Sequence, residues 1–177
     1  MADRKDALVA AAGFINKVPE IVKEYGNEFT VATVGTIKVT PHSVNVIPGT
    51  CTFSLEIRDQ SAEVMKLIEN HLRQLLEDIC KKYGVTSTFV PTSYHDPAPM
   101  SELVRGTIEE AVKELGIDYT VIPSGAFHDS LIMTSVFPTG MIFVPSKDGI
   151  SHSRYEYTAP EDIENGCNVL LNTVLKL

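Results

Sequence analysis

Apolar side chains recur at three- and four-residue intervals near the start of the chain, which predicts an amphipathic helix that ends at Gly26. Asp3 or Asp6 is expected to cap its first turn. Pro19 falls inside the helix, and we expect a kink or a break there because proline removes a backbone hydrogen bond. The apolar positions are Leu8, Ala11, Ile15, Val18, Val22 and Tyr25.

The pattern then changes to the two-residue alternation that is typical of β-strands. In residues 29–39, apolar side chains recur at every second position, and residues 51–58 alternate between apolar and polar without interruption. The segment between them, 41–49, is rich in turn residues. Two strands joined by a turn-rich connection are therefore predicted.

A second amphipathic pattern covers residues 61–83 and predicts a long helix that Gly84 caps. Its apolar stripe consists of Val64, Ile68, Leu72, Leu75, Ile79 and Tyr83. A short strand is predicted at 85–90. The order helix, strand, strand, helix, strand is that of a ferredoxin-like βαββαβ sandwich, an α+β fold, without its first strand.

Three prolines between residues 91 and 99 mark a boundary, and we expect two domains, 1–96 and 97–177. Beyond the boundary, helix and strand patterns alternate as they do in α/β layers. Ser101 is expected to cap a helix that ends near Gly116, and another helix is expected to begin at Asp129. Strands are predicted at 119–122 and at 141–144, the second of them buried on both faces. The domain is short for this class, so we expect it to be part of a larger sheet.

The last helix is expected to begin with a capping box formed by Thr158 and Glu161. Its apolar positions are Ile163, Cys167, Leu170, Val174 and Leu175.

Composition narrows the functional classes. The net charge is −8 and no basic stripe is present, which argues against nucleic-acid binding. No apolar run is long enough for a membrane span, and the charged N-terminus lacks a signal peptide, so a cytoplasmic location is expected. Cys51, Cys80 and Cys167 are too few and too widely spaced for a disulfide framework or a metal knuckle. We interpret them as reduced core residues.

Asn45 and Arg58 are the first candidates for ligand binding. Asn45 lies in the turn-rich connection, where its amide can donate and accept hydrogen bonds. Arg58 ends a predicted strand on the polar face, so its guanidinium can meet a carboxylate. The alternative is an ordinary turn asparagine and a solvated arginine at a strand end.

The loop from Pro123 to Asp129 consists mainly of small residues and precedes a predicted helix, which allows a ligand to approach its backbone closely. His128 and Asp129 would stand at the start of that helix. The alternative is that Asp129 is only an N-cap and His128 a surface residue. A hydrolytic triad of Ser124, His128 and Asp129 is not favoured, because no Gly-x-Ser-x-Gly elbow is present.

His152 is the candidate metal ligand. It lies in a Gly/Ser-rich loop that follows the predicted strand 141–144, and ligands bind beyond the carboxyl ends of strands in α/β sheets. A neutral imidazole there is suited to a metal. The alternative is that His152 is a lone histidine that does not bind a metal.

These motifs, taken in order, resemble the carbamoylase and allantoate amidohydrolase branch of the M20 metallopeptidase family. Residues 1–12 resemble the segment that follows its His-Ala-Gly-Thr-Thr-Pro motif, and 45–49 with 53–58 resemble the strand and turn of its lid domain. Ser124-Gly-Ala-Phe-His-Asp129 is similar to its Ser-Gly-Ala-Gly-His-Asp motif, with Phe127 in place of a glycine. Residues 141–146 and 149–158 resemble its C-terminal signature.

The resemblance implies a hydrolase of ureido or amide bonds with two divalent metal ions, zinc or manganese, and a lid domain that forms homodimers. It implies that His152 binds one metal, that Asn45 and Arg58 bind the carboxylate of a small-molecule substrate in the partner's active site, and that His128 touches the substrate. The family's other metal ligands, its general-base glutamate and its first lid strand match nothing in these residues. The chain is therefore expected to be an inactive fragment.

Two alternatives stay open at this point. The chain could be a dimerisation and substrate-recognition module or a piece of a pseudoenzyme. It could also belong to an aminoacylase or dipeptidase of the same superfamily.

Overall fold

The computed structural model describes residues 3–177, which form two compact units with the boundary between Pro97 and Ala98. The first unit contains α1 (Ala7–Tyr25), β1 (Val31–Thr33), β2 (Ile37–Thr40), β3 (Thr50–Phe53), β4 (Glu56–Arg58) and α2 (Ala62–Tyr83). The second contains α3 (Glu102–Glu114), α4 (Asp129–Met133), a 3-10 turn (Lys147–Gly149) and α5 (Pro160–Lys176). The protein thus combines helices with short strands.

Helix α1 begins at Asp6, whose carboxylate oxygen Oδ1 accepts the backbone N–H groups of Leu8 and Val9, each at 3.0 Å. Asp6, and not Asp3, is therefore the N-cap of α1. The helix continues through Pro19 to Tyr25, so of the predicted kink or break, the break does not occur. Its buried face is centred on Phe14.

The two predicted strands pair with each other but are each divided in two. Strand β1 is antiparallel to β4, with Val31 opposite Arg58, and β2 is antiparallel to β3, with Ile37 opposite Phe53. Between the two ladders, residues 34–36 face only residues 54–55, so the first strand carries one extra residue. Such a β-bulge interrupts the ladder and bends the strand.

Helices α1 and α2 cover one face of these strands. The core consists of Phe14, Val18, Ile68 and Leu72, and the Phe14 ring lies 5.5 Å from the ring of Phe53 on β3. The predicted stripe of α2 is confirmed by burial at Ile68 and Leu72, and Gly84 caps the helix in the left-handed conformation, with φ 63°.

The three predicted strands at 85–90, 119–122 and 141–144 are wrong, because none of these segments belongs to a β-ladder in the described part of the chain. Segment 141–144 is also not buried on both faces, since Phe143 and Val144 are exposed. Apolar alternation makes a segment suited to a strand, but a strand forms only where a neighbour completes its hydrogen bonds.

In the second unit, α3 packs against α5 through Ala111, Val112, Val169 and Thr173, all buried. Segment 140–144 approaches both helices so closely that each contact involves a glycine. A Cβ at Gly140 would lie 2.7 Å from Val104 Cγ1 of α3. A Cβ at Gly166 of α5 would lie 2.5 Å from Val144 Cγ1.

Two predictions for α5 are wrong. Ala159, not Thr158, is the N-cap, and Pro160 occupies the first helical position, where its missing N–H costs nothing. The predicted apolar stripe is exposed, because the helix turns a different face, centred on Val169 and Thr173, toward α3. The exposed positions are Ile163, Cys167, Leu170, Val174 and Leu175.

Candidate functional site

Asn45 lies in the connection between β2 and β3 and is exposed. Its side-chain oxygen accepts a hydrogen bond from the Ser43 hydroxyl at 2.8 Å. The carboxamide nitrogen is the group that can donate to an anion.

Arg58 ends β4 opposite Val31, and about half of its side chain is exposed. Its Nη2 lies 2.8 Å from a carboxylate oxygen of Glu56, which is two residues earlier in the same strand. Alternate residues of a strand share one face, so Glu56 holds the guanidinium on the exposed face of the strand. A substrate carboxylate would compete with Glu56 for these donors.

The next residue, Asp59, fixes the position of this strand end, and sequence reasoning missed it. Its carboxylate accepts the Ser61 N–H at 2.8 Å, the Asn27 amide at 3.3 Å and the hydroxyl of the buried Thr30. Burial alone would raise the pKa of Asp59, but these hydrogen bonds outweigh burial and lower its pKa. The Asp-x-Ser spacing before a helix is the signal that predicts such a turn.

His128 and Ser124 form a direct pair in the second unit. The His128 Nε2 atom lies 2.7 Å from the Ser124 hydroxyl, and the imidazole meets the Phe143 ring edge-on at a centroid distance of 5.6 Å. Ser124 also accepts the Ala126 N–H at 3.3 Å, which closes the loop before α4.

This pair brings together two of the three residues considered as a hydrolytic triad. The third does not join them: Asp129 is exposed at the start of α4, and within residues 3–177 it makes no hydrogen bond with His128. A histidine base without an orienting group on its other nitrogen lacks part of the triad geometry. The arrangement is suited to contacting a polar ligand.

His152 has a left-handed backbone, with φ 54°, in an exposed loop. The backbone N–H of His152 donates to a carboxylate oxygen of Glu156 at 2.8 Å. The loop is closed by hydrogen bonds from Lys147 N–H to Tyr157 O at 2.8 Å and from the Ser146 hydroxyl to Ile150 O at 2.5 Å. Histidine is among the residues that adopt this conformation more readily than most.

A metal centre needs more than this histidine. Within residues 3–177, no three His, Cys, Asp or Glu side chains are grouped closely enough to hold a metal ion. A catalytic zinc site uses three protein ligands. The described residues therefore do not by themselves fit a complete metal centre.

The three cysteines are free thiols. Cys51 and Cys80 are partly buried, and burial raises the pKa of Cys51. Cys167 is exposed, so its predicted place in the core is wrong. No helix in the described part of the chain is long and apolar enough to cross a membrane.

Comparison with known proteins places these residues in a family. The model for peptidase family M20/M25/M40 matches residues 11–176. The N-carbamoyl-L-amino acid amidohydrolase of Geobacillus stearothermophilus is 38% identical over 177 residues, which are 100% of this chain and 43% of that protein.

Two solved structures are similar along almost the whole chain. A crystal structure of AtUAH in complex with glyoxylate has a TM-score of 0.93 and 35% identity, over 99% of this chain and 42% of that one. The YXEP protein of Bacillus subtilis, a dinuclear metal binding peptidase from the M20 family, has a TM-score of 0.70 at 17% identity, over 97% of this chain and 46% of that one, a likeness of fold alone.

The chain spans less than half the length of these relatives. The family model covers nearly all of it, including every candidate residue. The chain therefore belongs to peptidase family M20/M25/M40.

Proposed function

We propose that the chain is a fragment of a binuclear-metal amidohydrolase that cleaves N-carbamoyl (ureido) amide bonds of small carboxylates. N-carbamoyl-L-amino acids and allantoate are representative substrates. The observation that carries the proposal is the 38% identity with an N-carbamoyl-L-amino acid amidohydrolase over the whole chain. The glyoxylate bound by AtUAH, also a small carboxylate, supports the substrate class.

In this proposal, Arg58 and Asn45 bind the substrate carboxylate. The support is chemical: an exposed guanidinium presents paired donors to a carboxylate, and Glu56 keeps it on the exposed face until the substrate arrives. The His128 imidazole contacts the substrate, and its hydrogen bond with the Ser124 hydroxyl holds it in the loop before α4. Phe127, half-exposed in the same loop, would narrow the pocket.

His152 would supply one ligand to a centre of two divalent ions, zinc or manganese, whose other ligands lie outside this chain. Two features support the assignment. The ends of the loop are joined by the backbone hydrogen bond from Lys147 to Tyr157. Within the loop, the backbone N–H of His152 donates to the Glu156 carboxylate.

The first unit would be the lid of that enzyme, a ferredoxin-like sandwich without its first strand. We propose that it forms a homodimer through the outer edge of β1 and β2, each of which has a ladder partner on one side only within the described residues. A two-fold axis along this edge would pair β2 with its own copy and deliver Arg58 and Asn45 to the partner's active site.

A second candidate function concerns the chain by itself. The lack of a metal-binding cluster within residues 3–177 favours a carboxylate-recognition and dimerisation module without turnover. Calorimetry with zinc and an assay with an N-carbamoyl amino acid separate the two functions. Weak zinc binding and no turnover support the module; tight stoichiometric zinc together with turnover contradicts it.

The proposed role of Arg58 is tested in a complete enzyme that contains this segment. Arg58→Ala should raise KM for carboxylate substrates about 10- to 150-fold, because it removes a charge-assisted contact. Arg58→Lys should restore binding only in part, since an ammonium lacks the paired donors. The control is Arg105→Ala, an exposed arginine of α3. Equal KM values for the two alanine variants would refute the carboxylate role of Arg58.

A further inference from the structure

Glu56 and Arg58 lie side by side on the open face of β4. Ile57, between them, packs against the core beneath the helices, so its two neighbours point to the opposite side of the strand. The Arg58 Nη2 atom lies 2.8 Å from a Glu56 carboxylate oxygen, and about half of each side chain is exposed. The candidate carboxylate-binding group is thus presented together with a carboxylate of the chain itself.

Asp59 adds a second negative charge directly after Arg58. Three neutral groups bind its carboxylate: the Ser61 N–H, the Asn27 amide and the Thr30 hydroxyl. Burial raises the pKa of Asp59, but these hydrogen bonds together outweigh burial and lower it. They therefore keep the carboxylate ionised without cancelling its charge.

This strand end consequently carries more negative than positive charge. Among the residues of β1 and β4, Arg58 is the one basic side chain. The next basic residue of the strands, Lys38, lies in the β2–β3 ladder, beyond the bulge. One guanidinium carries one positive charge, so a substrate carboxylate bound by Arg58 would lie beside the carboxylate of Glu56.

We propose that Glu56 is a specificity-determining residue that restricts the substrate to monocarboxylates. The proposal rests on the carboxylate role proposed above for Arg58. A second carboxylate on the substrate would lie close to Glu56 and would be repelled, because like charges placed next to each other in a binding site weaken binding. N-carbamoyl amino acids with neutral side chains are therefore the expected substrates, and N-carbamoyl-aspartate is disfavoured.

The test compares N-carbamoyl-L-asparagine with N-carbamoyl-L-aspartate in a complete enzyme that contains this segment. The two compounds have nearly the same shape and differ by one negative charge, which lies only two carbon atoms from the carboxylate that Arg58 would bind. In the wild-type enzyme, kcat/KM for the asparagine derivative should exceed that for the aspartate derivative about tenfold or more. Equal kcat/KM values for the two compounds would overturn the proposal.

Variants of Glu56 separate its charge from its shape. Glu56→Gln removes the charge, keeps the size of the side chain and should lower the preference for the asparagine derivative about tenfold. Glu56→Asp keeps the charge and should keep most of the preference. Glu20→Gln, an exposed glutamate of α1 that pairs with Lys17, is the control and should leave the preference unchanged. An unaltered preference in Glu56→Gln, or an equal loss in Glu56→Asp, would refute a role for the charge.

Salt provides a second readout that a structural role of Glu56 would not change. Raising the NaCl concentration from about 0.05 M to about 0.5 M shortens the screening length about threefold. The preference of the wild-type enzyme should then fall severalfold, whereas that of Glu56→Gln should hardly change. A wild-type preference that does not depend on salt would contradict the proposal.

Arg58→Ala distinguishes failure of this proposal from failure of the proposed function. An unchanged KM for the asparagine derivative in Arg58→Ala would refute the carboxylate role of Arg58, and with it the role of Glu56. A raised KM in Arg58→Ala, together with an unaltered preference in Glu56→Gln, would refute the role of Glu56 alone.

Discussion

The Thr30 hydroxyl donates a hydrogen bond to the carboxylate of Asp59, and so joins the turn after α1 to the turn before α2. Both partners are distant in sequence, Thr30 is buried, and Asp59 directly follows Arg58. The bond therefore fixes the strand end on which the candidate carboxylate-binding arginine lies.

Thr30→Val should lower the free energy of unfolding of the first unit by about 1–3 kcal/mol, because a partly buried carboxylate loses one of its donors while the side-chain volume is kept. Urea unfolding followed by circular dichroism measures the change. Thr33→Val, an exposed threonine of β1, is the matched control and should change stability by less than about 0.5 kcal/mol. Similar losses in both variants would show that the Thr30 contact does not stabilise the unit.

Acid should destabilise the first unit through Asp6. The backbone hydrogen bond from Val9, followed by the hydrogen bond from Arg4, lowers the pKa of Asp6 below its ordinary value. A carboxyl whose folded pKa is lowered stabilises the fold fully above its unfolded pKa, about 3.9, and loses that contribution as pH falls through the folded pKa. Stability should therefore be level from pH 7 to about pH 5 and fall below about pH 4.

Asp6→Asn separates titration from capping, because asparagine is an equally good N-cap and does not titrate. This variant should show a shallower loss of stability in acid, whereas Asp6→Ala should lose about 0.5–2 kcal/mol at neutral pH. Thermal unfolding between pH 2.5 and 7 measures both effects. An acid profile of Asp6→Asn that coincides with the wild-type profile would exclude Asp6 as the source.

Gly166→Ala should destabilise the second unit by about 1–3 kcal/mol, because the added Cβ would lie 2.5 Å from Val144 Cγ1 and valine has little rotational freedom. Gly106→Ala in α3 is the control. A Cβ there meets nothing within 4 Å, so the better helix former should stabilise by about 0.5–1 kcal/mol. A stabilising Gly166→Ala would mean that segment 140–144 does not pack against α5.

Val39→Pro should weaken the proposed homodimer, because it removes an N–H from the outer edge of β2 without removing a bond to β3. Size-exclusion chromatography with light scattering should show a shift toward monomer over a range of concentrations. Cys51→Pro, the opposite position in the ladder, should leave the dimer intact. A wild-type chain that is monomeric at high concentration would contradict both the proposed homodimer and the proposed role of Arg58 in the partner's active site.

The sequence by itself determined the features that depend on near neighbours. Helical spacing located α1, α2 and α3, and Gly84 and Ser101 marked two helix ends correctly. The family motifs identified the candidate residues Asn45, Arg58, His128 and His152, whose roles remain predictions. Spacing suffices for helices because their backbone hydrogen bonds are made within one segment.

Only the tertiary structure decided the features that depend on distant partners. Segments 85–90 and 141–144 have the composition of strands, but within the described residues no neighbour completes a ladder with them, so they do not form strands there. Helix α5 buries Val169 and Thr173 because that face meets α3, although its other face is the more apolar one. The bond between Ser124 and His128 likewise depends on how the loop folds, and Thr30 meets Asp59 because β1 pairs with β4. The sequence pattern of a segment indicates which secondary structure and which buried face it can form. The partner that the fold brings to the segment decides whether they form.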